Sequence, residues 1–157
     1  MEKIASFTID HIRLQPGVYV SRKDQVGDQV ITTFDLRMTS PNEEPVMNTA
    51  EMHTIEHLAA TFLRNHKEYG SRTIYFGPMG CRTGFYFLVR DMKHSDAIAL
   101  MKDIFAKIAD YSGEVPGCTS IECGNYLEHD LEEAKQEAAS FLPVISDWTE
   151  QRLTYPV

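Results

Sequence analysis

The chain is short of several things, and each shortage closes off a class of protein. It holds three cysteines in 157 residues, Cys81, Cys118 and Cys123. An odd and small number of thiols does not make a disulfide framework, so these are expected to be free for ligation or catalysis. No apolar run reaches the length of about 18 residues that a membrane helix needs. Basic residues are outnumbered, 15 Lys and Arg against 23 Asp and Glu, for a net charge of −8. A chain of that sign lacks the cationic face of a non-specific nucleic-acid binder or a protein held on anionic lipid. The opening Met1-Glu2-Lys3-Ile4-Ala5-Ser6 has no apolar signal-peptide core, and a cytoplasmic location is the expectation. Repeats, low-complexity tracts and long linkers are absent too, so one domain over residues 1–157 is expected.

What is present reads as strands and helices in mixed order. Residues 30–38 alternate Val30, Thr32, Phe34, Leu36 and Met38 with Ile31, Thr33, Asp35 and Arg37, the clearest strand pattern in the chain. Val18 and Val20 suggest a strand before it, with 23–27 as a turn. Residues 72–76 and 84–90 are aromatic and β-branched and read as a further pair. A helix is expected over about 48–66. Asn48 and Glu51 form a capping box, and Met47 and Met52 a hydrophobic staple. A second helix is expected from Ser95 or Asp96 to about Tyr111, and a third from near Asn125 to Pro143. Residues 115–123 could include a strand, and the tail 147–157 a short helix. Without strict β-α-β alternation, the fold class is α+β. A two-layer sandwich follows, its mainly antiparallel sheet carrying helices on one face.

The first predicted helix carries His53-Thr54-Ile55-Glu56-His57. Histidines at i and i+4 share a helix face, so two imidazole nitrogens can hold one metal ion. Glu56 beside them can direct a carboxylate at whatever that metal binds. The pattern is H-x-x-E-H, the inverse of the zinc peptidase motif. On a wheel at about 100° per residue the histidines lie nearly opposite the apolar arc of Met52, Ile55, Leu58, Ala59, Phe62 and Leu63. Another segment or another subunit must therefore cover them. A catalytic metal keeps three protein ligands and one open position. Glu122 and Cys123 both qualify as the third ligand, and spacing does not choose between them.

Cys81 lies in Gly77-Pro78-Met79-Gly80-Cys81-Arg82-Thr83-Gly84, a turn whose backbone can approach a ligand closely. Arg82 or a nearby metal would favour its thiolate. Arg37 is either a solvated charge or an anchor for a substrate carboxylate. His66, His94 and His129 read as solvent-facing, Cys118 as structural, and the acidic stretch from Glu128 to Glu137 as a solvated face.

Taken together, five segments resemble one family, in order and at matching spacing. They are Ser6-Phe7-x-x-Asp10-His11, Phe34-Asp35-Leu36-Arg37, His53-x-x-Glu56-His57-Leu58, the stretch from Gly77 to Tyr86, and Glu122-Cys123-Gly124-Asn125-Tyr126. The family is S-ribosylhomocysteine lyase (LuxS). The resemblance implies His53, His57 and Cys123 as metal ligands, with Fe2+ as the native ion and Zn2+ or Co2+ able to replace it. It implies Glu56 and Cys81 as acid–base residues, and Ser6, His11 and Arg37 as residues lining the substrate site. It implies a homodimer with the active site at the subunit interface. The reaction implied is cleavage of S-ribosylhomocysteine to homocysteine and 4,5-dihydroxy-2,3-pentanedione, the autoinducer-2 precursor used in quorum sensing. One position departs from the family. Many members carry an acidic residue where this chain has Tyr75. Two other readings of the same residues remain: an inverted-motif metallopeptidase using Glu122, and a non-catalytic metal-binding module.

Overall fold

A computed structural model describes residues 1–157. Two long strands, β1 (Gly17–Val26) and β2 (Gln29–Arg37), open the sheet, joined by a tight turn at Gly27 and Asp28. Gly27 sits at φ 62°, the left-handed conformation that glycine adopts without steric cost. Residues 23–26, expected as a turn, are therefore strand. Their polarity reflects an exposed hairpin end, not a break in the backbone. After α1 (Thr49–Arg64) come β3 (Thr73–Pro78), β4 (Gly84–Arg90), α2 (His94–Ala109) and α3 (Leu131–Ile145). The sheet order is β1-β2-β4-β3, and every pairing is antiparallel. This is the expected α+β arrangement.

The alternation of β2 sorts its side chains. Phe34 and Leu36 join Phe85, Phe87 and Phe76 in a buried cluster with Ile55, Leu58, Met101, Phe105 and Phe141 from the helices. Asp35 and Arg37 point to the opposite face by the period of two, yet they are buried as well. The C-terminal tail closes over them there. Tyr155 stacks on Tyr19 at 5.2 Å, and Trp148 packs edge-on against the same ring at 5.6 Å. The Trp148 indole donates to the Val18 carbonyl, and the Val20 N–H to the Leu153 carbonyl. The tail thus covers edge strand β1, whose unpaired backbone groups would otherwise invite association. Its short helical turn, Glu150–Arg152, matches the expected short helix.

Helix α1 forms where the capping box predicts. The Asn48 side chain accepts from the Glu51 N–H, and the Glu51 carboxylate accepts from the Asn48 N–H, both at 2.8 Å. Met47 and Met52 are both buried, as a staple requires. Two boundaries differ from expectation. Helix α3 begins at Leu131, because Asp130 caps it by accepting from the Glu133 N–H, and residues 125–128 turn instead. It runs past Pro143 to Ile145. Residues 115–123 contain no strand but a string of turns. No helix is long and apolar enough to cross a membrane.

Removing the Asn48 cap tests how far α1 depends on it. Asn48→Ala is expected to lower unfolding free energy by about 1 kcal/mol, read from urea denaturation.

Candidate active site

His53 and His57 project from one face of α1 toward the loop between α2 and α3, and that loop covers them. Each ring is held by a backbone carbonyl. His53 Nδ1 lies 2.8 Å from the Glu128 oxygen, and His57 Nδ1 lies 2.8 Å from the Pro116 oxygen. A carbonyl can only accept, so both Nδ1 atoms carry the proton and both Nε2 atoms present lone pairs. Those lone pairs face Cys123, whose sulfur is 3.4 Å from His53 Nε2 and 3.9 Å from His57 Nε2. Metal bonds of about 2.3 Å to sulfur and 2.0–2.1 Å to nitrogen at tetrahedral angles give an edge of about 3.6 Å. The donor set therefore fits a divalent metal in both distance and tautomer. The Asn125 N–H donates to the Cys123 sulfur at 3.4 Å, which suits a ligating thiolate.

Gly117 shows why the loop can come so close. Its φ is 71°, and a Cβ there would stand 3.3 Å from His57 Nδ1. A side chain at this position would be strained and would push at the Pro116–His57 hydrogen bond.

His129 belongs to the cluster, although its sequence context suggests a solvent-facing residue. Its ring stacks on His53 at 4.0 Å and stands edge-on to His57 at 4.7 Å. The ligand atoms of His53, His57, Cys123 and His129 all lie within 4.8 Å of one another. His129 Nδ1 is 3.0 Å from the Thr54 hydroxyl, while Nε2 is buried without a hydrogen-bond partner. Burial and the neighbouring His53 and His57 push its pKa down to about 4, so the ring is neutral at pH 7. One sequence signal could have found it. His129 directly precedes Asp130, a good cap residue, and a residue just before a helix is held close to the packed body.

Glu122 is not part of the cluster. Its carboxylate accepts from the Thr119 hydroxyl at 2.7 Å, and the residue is exposed. Glu56 lines a cavity of about 360 Å³ with His53, Met52, Pro78, Asn125 and Glu128. Pro78 ends β3, and the turn bearing Cys81 follows it. A larger cavity, about 520 Å³, lies elsewhere, between the N-terminal segment and the C-terminal tail, and shares no residue with the cluster. Of the two, only the smaller one adjoins the cluster, through His53.

Cys81 is exposed in its turn. Arg82, the next residue, adopts φ 62°, so the left-handed position here is an arginine and not one of the flanking glycines. Behind the thiol stands Arg37. It is 2% exposed and forms a bidentate pair with the fully buried Asp35, at 2.6 and 3.2 Å, so it is not a solvated charge. Burial works against its charge, but Asp35 outweighs that and holds its pKa above the usual arginine value. Arg37 also donates to Thr83 at 2.7 Å and stands 3.9 Å from the Cys81 sulfur. Ser6 and His11 stay on the N-terminal segment, away from the cluster. Ser6 lines a small cavity of about 230 Å³ with Tyr86 and Arg22, and His11 bonds the Ile9 carbonyl at 2.9 Å. Tyr75 is half-exposed on β3, with its ring lying over Gly77 where a Cβ would collide with it.

Comparison with known proteins decides the family. The S-ribosylhomocysteinase (LuxS) family model matches residues 4–152. This chain is an enzyme of the S-ribosylhomocysteinase (LuxS) family. It is 60% identical to the S-ribosylhomocysteine lyase of Clostridium acetobutylicum over 157 residues, covering 99% of each chain. It is 57% identical to that of Clostridium beijerinckii, again over 99% of each, and 46% identical to that of Borreliella burgdorferi over 99% of this chain and all of that one.

The Asp35–Arg37 pair supports a stability prediction. Asp35→Asn leaves a buried guanidinium uncompensated and is expected to cost about 3–5 kcal/mol in chemical denaturation.

Proposed function

We propose that this LuxS-family enzyme cleaves S-ribosylhomocysteine to homocysteine and 4,5-dihydroxy-2,3-pentanedione at the His53, His57, Cys123 centre. The observation that carries the reading is the pair of carbonyl-braced histidines aiming both Nε2 lone pairs at Cys123, with Glu56 in the adjoining cavity. The relatives at 46–60% identity are named for this activity.

The chemistry assigns a task to each residue. The ribose carbonyl moves from C1 to C2 and then to C3, each move requiring removal of a proton beside a carbonyl. A last proton is then removed at C4, and the homocysteine thiolate leaves C5. A divalent metal on His53, His57 and Cys123, with Fe2+ favoured and Zn2+ or Co2+ as substitutes, supplies the Lewis acidity that makes such protons removable. Glu56 takes and returns protons on the cavity side nearest the cluster. Cys81 does so from the turn beyond Pro78. Two positioned acid–base groups on opposite sides of a sugar avoid moving one base around the substrate. Arg37 is so engaged by Asp35 and Thr83 that its part at the substrate site is exerted beside Cys81.

Ser6 and His11 reach a substrate in this reading from a second copy of the chain, with the active site at a homodimer interface. Ile4, Phe7 and Ile12 are 58%, 69% and 81% exposed on the same N-terminal segment, an apolar surface suited to a partner. The peptidase alternative is disfavoured because Glu122 bonds Thr119 away from the cluster. A storage module is disfavoured because it gives Glu56 and Cys81 no work.

The test is thiol release from S-ribosylhomocysteine by anaerobically prepared, iron-loaded protein. Release is expected, and none from fully loaded protein would overturn the proposal. Glu56→Gln and Cys81→Ala are each expected to keep metal content and fold and to lose at least about 100-fold in rate. Light scattering at assay concentration is expected to give twice the chain mass, and an active monomer would refute the shared site.

A further inference from the structure

The Cys81 sulfur has a closer hydrogen-bonding neighbour than Arg37. The Thr83 hydroxyl stands 3.1 Å from it, whereas Arg37 Nη1 stands 3.9 Å away. The direction of that contact follows from its other partner. Arg37 has donors and no acceptor, so its 2.7 Å contact to Thr83 Oγ1 places the guanidinium proton on the hydroxyl oxygen. Thr83 is 4% exposed, and Arg37 and Cys81 are the partners of its hydroxyl. Its single proton therefore points at the sulfur. The arrangement passes polarisation from the Arg37 charge through a hydroxyl to an exposed sulfur.

Arg37 is itself aimed from behind. Both Asp35 oxygens are engaged by Arg37, and Asp35 Oδ2 also accepts from the Tyr155 hydroxyl at 2.7 Å. Burial and the Asp35 carboxylate raise the Tyr155 pKa, so Tyr155 remains a neutral donor. Its ring is clamped on Tyr19, which fixes the hydroxyl. A connected path thus runs from the C-terminal tail to the turn that bears Cys81.

We propose that Thr83 is a positioning residue that donates to the Cys81 sulfur, and that Tyr155 holds the Asp35–Arg37 pair that orients it. Neither residue touches substrate. The proposal rests on Cys81 as the proton-transfer group of the reaction above, but its test does not require turnover.

The experiment is alkylation of Cys81 by iodoacetamide at pH 7 in metal-loaded protein. It is followed on the tryptic peptide 73–82, which Arg72 and Arg82 delimit and which holds no other cysteine. A hydrogen bond to an ionised group changes its population by about 10- to 100-fold. A thiolate with one donor fewer is more nucleophilic and regains about half of that on a logarithmic scale. Thr83→Val is therefore expected to react about three- to tenfold more slowly. Thr83→Ser, which keeps the hydroxyl, is expected within about twofold of the parent. Tyr155→Phe is expected to slow the reaction by about two- to threefold, since it removes one donor two steps away. Folded Thr83→Val reacting at the parent rate would overturn the proposal, as would Thr83→Ser reacting as slowly as Thr83→Val. Should Thr83→Val not fold, Thr83→Ala against Thr83→Ser carries the same comparison. In the lyase assay the Thr83→Val loss is expected in kcat with KM unchanged. Absence of lyase activity in the parent would count against the function and leave the alkylation comparison standing.

Discussion

Two backbone carbonyls decide which nitrogen of each α1 histidine is free. The Pro116 and Glu128 oxygens take the Nδ1 protons of His57 and His53, and both Nε2 lone pairs are left facing Cys123. The hydrogen bonds that select the tautomers also fasten the loop 116–129 over the helix. That loop delivers Cys123 and His129 and forms a wall of the cavity that Glu56 lines. Freeing either carbonyl would loosen a ring, misplace the sulfur and open the cavity together. Gly117 permits the approach, since any larger residue would crowd His57.

The other face of the sheet carries a second polar arrangement, held by different means. There a charged pair, Asp35 and Arg37, is buried between β2 and the C-terminal tail. Buried charges are expensive unless paired and hydrogen-bonded. This pair is satisfied by a bidentate contact, the Tyr155 hydroxyl and the Thr83 hydroxyl. The guanidinium is thereby rigid, and Thr83 lies between it and Cys81. Glu56 and Cys81, the two groups proposed to handle protons, are thus held by different parts of the fold. Glu56 belongs to a helix on one side, and Cys81 to a turn anchored by groups on the other.

Much of this was legible from local pattern. The capping box and staple placed α1, because both signals act within one turn of the helix terminus. The alternation of 30–38 placed β2, and H-x-x-E-H placed on one helix two histidines of the cluster that could hold a metal, with a carboxylate beside them. Less was legible where contacts are remote. Residues 23–26 look like a turn by polarity but pair with β2 across the hairpin. Residues 125–128 look helical but belong to the loop over α1, which binds His53 through the Glu128 carbonyl. His129 carries no motif, and its place beside His53 depends on where α3 is capped.

The sequence by itself determined the helix that bears His53, Glu56 and His57, the antiparallel strands, and the free state expected of a few thiols. Helix caps, strand alternation and i, i+4 spacing are short-range properties that neighbouring residues settle. Spacing left Glu122 and Cys123 open and only the resemblance named Cys123; the tertiary structure shows Cys123 facing the histidines, and it alone decided that His129 joins them and that Arg37 is a buried, paired charge behind Cys81. Each of those outcomes depends on residues tens of positions apart meeting across the fold. Which side chain wins such a meeting is set by hydrogen-bond partners and burial that no local pattern records.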